Sequence, residues 1–190
     1  MHSDQGPILL AIARNAIAQQ FGQPFSAAVD APWLQEPGAT FITLTQAGEL
    51  RGCIGTLQAH RPLLEDVKAN AVAAAFRDPR FPPLQQAELN DIRVEVSLLS
   101  PSEPLVFESE QQALTQLRPN IDGVIFEYGL YRSTFLPQVW EQLPDPKTFM
   151  AHLKQKAGLE ANFWAESVKL SRYSVRKWQE PKPAREAKQI

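Results

Sequence analysis

Thr40-Phe41-Ile42-Thr43-Leu44-Thr45-Gln46-Ala47-Gly48-Glu49-Leu50-Arg51-Gly52-Cys53-Ile54-Gly55-Thr56-Leu57 is the stretch on which the fold turns. Thr40 to Thr45 has the β-branched and aromatic composition of a strand. Gln46-Ala47-Gly48-Glu49 reads as a tight turn, so Leu50 to Leu57 is expected to return as the second strand of a hairpin. An extended backbone repeats every two residues, which places Arg51 and Cys53 on one face with Gly55 next along it. A guanidinium beside a thiol favours the thiolate, so Cys53 and Arg51 form a candidate catalytic pair. A glycine at 55 leaves room for a ligand or another backbone. The opposing reading makes Cys53 a small buried hydrophobe and the glycines the marks of a bulge.

A nucleophilic thiol needs a base. His60 is nearest by number, yet seven extended steps at about 3.3 Å separate the two by roughly 23 Å unless the chain reverses. His152 falls on a predicted helix and reads as a surface or boundary histidine. Asp78, Arg80 and Glu95 are further polar candidates, although turn chemistry accounts for Asp78 and the outer face of a strand for Glu95. Three histidines and one cysteine scattered along the chain lack metal-ligand spacing, so no metal and no cofactor is expected. The Gly52 to Gly55 spacing fits neither a phosphate loop nor a dinucleotide fingerprint.

Outward from the hairpin, apolar residues at Leu9, Ile12, Ala13, Ala16 and Ile17 predict an amphipathic helix from Pro7 that Gly22 closes. Pro24 to Gly38 is irregular. Leu64 to Phe76 is rich in alanine, which favours helix and lets a neighbouring element approach closely, and Asp78-Pro79 ends it. Arg93 to Leu98 and Val124 to Tyr128 alternate as half-buried strands do. Asp145-Pro146 opens a last helix that Gly158 closes, and Val168 to Trp178 is expected to form one final strand. Helices and strands intermix without a parallel repeat, which predicts an α+β fold with mainly antiparallel sheets.

The chain has 190 residues, 44% of them hydrophobic and 21% charged, enough for one domain with a core of its own. Its longest apolar runs, Ile8 to Ala13 and Ala71 to Phe76, are far shorter than the roughly 20 residues a membrane span needs. The first residues lack a secretory pattern and the single cysteine suits a reducing compartment, so a soluble cytoplasmic protein is expected. A net charge of −2 gives no general attraction for polyanions. Only Lys169 to Ile190, with seven basic and two acidic residues, offers a local basic patch for RNA.

Leu50-Arg51-Gly52-Cys53-Ile54-Gly55-Thr56 strongly resembles the hallmark of the AMMECR domain family. The resemblance continues through Asp78-Pro79-Arg80-Phe81-Pro82-Pro83, Glu95 to Pro101, Asp122-Gly123 and Thr134-Phe135-Leu136-Pro137-Gln138-Val139-Trp140. One departure is Ser133, where members often carry glycine. The resemblance implies an AMMECR-like domain over 1–179 in two lobes, each with a mainly antiparallel sheet and helices; the basic residues 180–190 beyond it are expected to form a disordered tail. It implies a cleft between the lobes toward which the Arg51 to Gly55 side chains point, with Gly52, Ile54, Gly55, Thr134 and Phe135 contacting a substrate or partner. Prokaryotic proteins of this kind look like the first component of a three-part AmmeMemoRadiSam set with a Memo-like protein and a radical-SAM enzyme. The implied ligand is a protein or a bulky small molecule, and nucleic acid is not expected. Enzyme subunit and non-catalytic binding module stay open as alternatives.

Overall fold

A computed structural model describes residues 5–182. In chain order its main elements are α1 (Gln5–Gln19), β1 (Thr40–Gln46), β2 (Glu49–Gly55), α2 (Leu63–Phe76), β3 (Ile92–Leu99), β4 (Glu103–Pro104), α3 (Glu110–Gln116), β5 (Gly123–Tyr128), β6 (Tyr131–Phe135), α4 (Pro146–Lys156), β7 (Lys169–Tyr173) and β8 (Val175–Gln179). They form two units. One runs up to Leu99 and resumes at Arg176; the other spans Ser100–Val175. The α+β expectation with antiparallel sheets is met.

In the first unit the sheet order is β2-β1-β3-β8. β1 and β2 are joined by Ala47 and Gly48, both at positive φ, the backbone that matches the twist of a two-residue hairpin. Along β1, Thr40, Ile42 and Leu44 are buried and alternate with half-exposed Phe41, Thr43 and Thr45. That alternation puts one sheet face against α1 and α2, whose Leu9, Ile12, Ala13, Val67, Ala71 and Ala74 close the core. Helix α2 starts after Pro62 with Glu65 and Asp66 in its first turn, where the helix dipole favours acids. Asp66 is fully buried and binds the Thr40 N–H at 2.8 Å, the Thr56 hydroxyl at 2.7 Å and Arg61 Nε at 2.8 Å. A buried carboxylate with this many donors ties the helix to β1 and to the segment that leaves β2.

The second unit has the sheet order β4-β7-β5-β6. Its core gathers Val124, Phe126, Trp140, Phe149, Met150, Leu153 and Leu170. Trp140 stacks on Phe149 with ring centroids 3.7 Å apart and donates Nε1–H to the Asp122 carbonyl at 2.7 Å. Helix α4 is capped as the sequence predicts: Asp145 accepts the Thr148 N–H at 2.9 Å, and Gly158 takes φ +93°. The short α3, capped by Ser109, was not anticipated, and neither were β4 and β6.

Two expectations need correcting. Val168 to Trp178 is not one strand, because Ser174 leaves the ladder to exchange hydrogen bonds with Ser100, and β7 and β8 therefore enter different sheets. The tail expected over 180–190 does not include Glu180, which is bonded into the first unit. Glu180 accepts hydrogen bonds from Arg14 Nε and the Val94 N–H, both at 2.9 Å, and donates its own N–H to the Val94 carbonyl at 2.9 Å. The rest of that expectation, over residues 183–190, lies outside the described residues.

Candidate functional site

β2 is an edge strand, and its pairing explains the geometry around Cys53. Cys53 stands opposite Thr43, and Gly52 opposite Leu44, but Thr45 pairs with Leu50. Arg51 is thus the additional residue of a β-bulge, which breaks the two-residue alternation. The Arg51 guanidinium is buried and donates Nε and Nη2 to the two oxygens of Glu88 at 2.9 and 3.0 Å, and Nη1 to the Pro82 carbonyl at 3.0 Å. That bidentate pair holds the Glu88 carboxyl below the usual carboxylate range. The expected Arg51–Cys53 pairing is replaced by this ion pair, because the bulge turns the arginine to the loop that follows α2.

A different arginine lies beside Cys53. The buried Asp78 carboxylate accepts Arg80 Nε at 3.0 Å, Arg80 Nη2 at 2.7 Å and the Cys53 N–H at 2.9 Å. Arg80 Nη2 also approaches the Cys53 carbonyl, at 3.4 Å. Both backbone groups of Cys53 therefore point away from β1, so Thr43 and Cys53 form a pair without mutual ladder bonds, the kind that brings side chains close. Consistently, the Thr43 hydroxyl donates to Cys53 Sγ at 3.4 Å. The Arg80 guanidinium, then the N–H of Cys53 and that of Arg80, hold the Asp78 carboxyl well below its ordinary range despite burial. Arg80 is raised in turn by Asp78.

The glycines have separate reasons. A Cβ on Gly52 would lie 2.1 Å from the Ala74 carbonyl of α2, so the Ala-rich helix and the glycine permit the close approach together. A Cβ on Gly55 would lie 2.2 Å from the Phe41 ring, so the room expected for a ligand holds Phe41. Ile54 turns to the first core. Around Cys53 the other sheet face carries Phe41, Thr43, Thr45, Arg93 and Glu95, all half-exposed. Thr43 pairs with Glu95 across β1 and β3, and Lys177 of β8 lies 3.5 Å from Glu95.

Thr134 and Phe135 belong to the second unit, where their groups are used internally. Thr134 Oγ1 and Phe135 O are 3.0 and 3.2 Å from the Tyr173 hydroxyl, which reaches them across Gly123. Ser133 donates its hydroxyl to Leu153 O at 2.6 Å, tying β6 to α4. His60 and His152 are exposed. Arg172 lies 3.5 Å from Glu103, and Arg176 bonds Gln5. Among the described residues no cluster of three or more His, Cys, Asp or Glu could hold a metal, and no helix is long and apolar enough to cross a membrane. Asp66 and Glu88 were missed by sequence reasoning, since no local pattern marks either as a partner of Thr40 or Arg51.

The architecture defines the class: an α+β protein with two antiparallel four-stranded sheets, in which the β1–β2 hairpin is bonded to the loop after α2. The AMMECR1 family model matches residues 10–178, and the chain belongs to that family. It is 39% identical over 184 residues to a protein of Sulfolobus acidocaldarius, covering 92% of this chain and 81% of that one. It is 42% identical over 137 residues to the protein MJ0810 of Methanocaldococcus jannaschii, covering 71% and 68%. The crystal structure of the uncharacterized protein PH0010 from Pyrococcus horikoshii matches with a TM-score of 0.80 at 33% identity, covering 94% of this chain and 92% of that one.

Proposed function

We propose that this chain is a non-catalytic binding module that receives a protein partner or a bulky small molecule on the open face of its first sheet, around Cys53. The observation that carries this reading is the use of the hallmark residues. Arg51 serves Glu88 and Pro82, Gly52 admits α2, and the Cys53 backbone serves Asp78 and Arg80. The side chain that hydrogen-bonds the sulfur is Thr43, a hydroxyl donor and no base. Such a segment presents a rigid, half-exposed surface, which lowers the ordering cost of binding. The family resemblance suggests Memo-like and radical-SAM proteins as partners.

A thiol enzyme subunit is the second reading, and Arg80 is what favours it, since it brings a guanidinium to Cys53 in place of Arg51. Light scattering of the purified chain with a Memo-like and a radical-SAM protein separates the two. The binding module predicts association with at least one of them, kept in Cys53→Ser and weakened in Glu95→Lys. Failure of the wild type to associate with either counts against it, and so does loss of association in Cys53→Ser alone.

A further inference from the structure

We propose that Arg80 is the anion-receiving group of this face, seating a carboxylate or phosphate of the ligand next to Cys53. The inference rests on the binding reading above and adds the chemical class of what is bound. A surface arginine is ordinarily a solvated, mobile charge whose ordering offsets much of what it gains on contact. Arg80 differs because its conformation is set in advance. Nε and Nη2 are held by the two oxygens of Asp78 at 3.0 and 2.7 Å, and the guanidinium lies 5.5 Å from the Phe81 ring centroid. The pair is also oriented: the Asp78 side chain is 2% exposed and that of Arg80 is 54% exposed. The carboxylate is therefore inside and the positive end faces outward.

The fork that usually grips a carboxylate, Nε with Nη2, is spent on Asp78. The remaining edge, Nη1 with Nη2, is left for an incoming oxyanion, and the Cys53 carbonyl at 3.4 Å from Nη2 is the contact that would yield. Asp78 keeps its charge through ordinary acidity, with its carboxyl held low chiefly by Arg80, so the orientation persists at neutral pH. A ligand anchored there places its body over Cys53 and Thr43, which adjoin each other at 3.4 Å.

Two alkylating reagents of similar size, anionic iodoacetate and neutral iodoacetamide, test this on the whole chain. An anion-receiving Arg80 raises the iodoacetate-to-iodoacetamide rate ratio of Cys53 about threefold or more above that of a cysteine in an unstructured peptide, a size suited to one exposed charge. The ratio falls to the peptide value in Arg80→Gln and is partly kept in Arg80→Lys, which retains charge without the fork. If Arg80→Gln does not fold, protection of the wild type decides: at constant ionic strength, malonate or phosphate slows iodoacetamide relative to chloride. Protection by malonate marks a carboxylate ligand and protection by phosphate a phosphorylated one. An unraised ratio, or no protection by either anion, overturns the proposal. Partner association plays no part in these assays, so their failure is distinct from failure of the binding reading.

Discussion

Asp78 accepts the backbone N–H of Cys53 at 2.9 Å, across 25 positions of sequence, and so closes the edge of β2. An edge strand left open is a template for pairing with other chains. Here the Asp78–Arg80 pair occupies both outward backbone groups of Cys53, while Arg51 holds the same loop through Pro82 and Glu88. The β1–β2 hairpin and the Asp78 to Pro83 loop are two halves of one clamp.

Asp78→Ala leaves a backbone donor unsatisfied and is expected to cost about 2 kcal/mol at neutral pH. The folded-state pKa of Asp78 lies below its unfolded value. Its contribution is therefore present above the ordinary carboxylate range near pH 4 and is lost as pH falls through and below it. Urea unfolding at pH 7 and pH 3 should show a smaller acid loss in Asp78→Ala than in the wild type. Parallel losses would contradict the clamp.

Gly52→Ala meets the Ala74 carbonyl at 2.1 Å, a backbone atom that cannot swing aside. The expected cost is about 2–3 kcal/mol from overpacking. Gly48→Ala, at φ +80° in open space, is the control and should lose about 1 kcal/mol through backbone strain alone. Thermal or denaturant unfolding of the two variants gives the order.

Glu88→Gln leaves the buried Arg51 charge without its bidentate partner. Their side chains are 11% and 23% exposed, which places the pair short of full burial, so the expected loss is about 2 kcal/mol. The iodoacetamide rate of Cys53 in the folded variant should match the wild type, because Arg51 serves the loop and not the thiol. A changed rate with intact far-UV and near-UV spectra would restore the Arg51–Cys53 pairing.

Much of this was legible in the chain and some was not, for physical reasons. The Thr40 to Gly55 hairpin follows from β-branched composition and from the Gln46 to Glu49 turn, and α1 and α4 follow from apolar spacing and caps, all of which are local. The bulge at Arg51 is not local. It depends on the register of β2 against β1, and moving one residue out of register changes the face of its side chain. Glu88 meets Arg51 from 37 residues away and Asp66 meets Thr40 from 26, although Asp66 also bonds Arg61 and Thr56 nearby. Likewise β7 and β8 read as one run because Ser100, which separates them, is 74 residues distant.

Tyr173 is pushed up to about 12, chiefly by burial, with the Thr134 hydrogen bond acting the other way. A raised folded-state pKa contributes stability below the ordinary tyrosine value near 10 and loses it as pH rises toward 12. Comparison of the phenolate absorbance of wild type and Tyr173→Phe across pH 9 to 12.5, about the span where tyrosines ionise, isolates this group. The difference should appear only near the top of that range, and unfolding should accompany it.

The most direct test of the binding face is the accessibility of Cys53 within a complex. Once light scattering has identified an associating Memo-like or radical-SAM protein, the iodoacetamide rate of Cys53 is measured with and without saturating partner. A face that receives the partner predicts slowing of about tenfold or more, as a thiol removed from solvent by a specific interface should show. A complex that forms while Cys53 alkylates at its free rate contradicts the assignment of this sheet face as the binding surface.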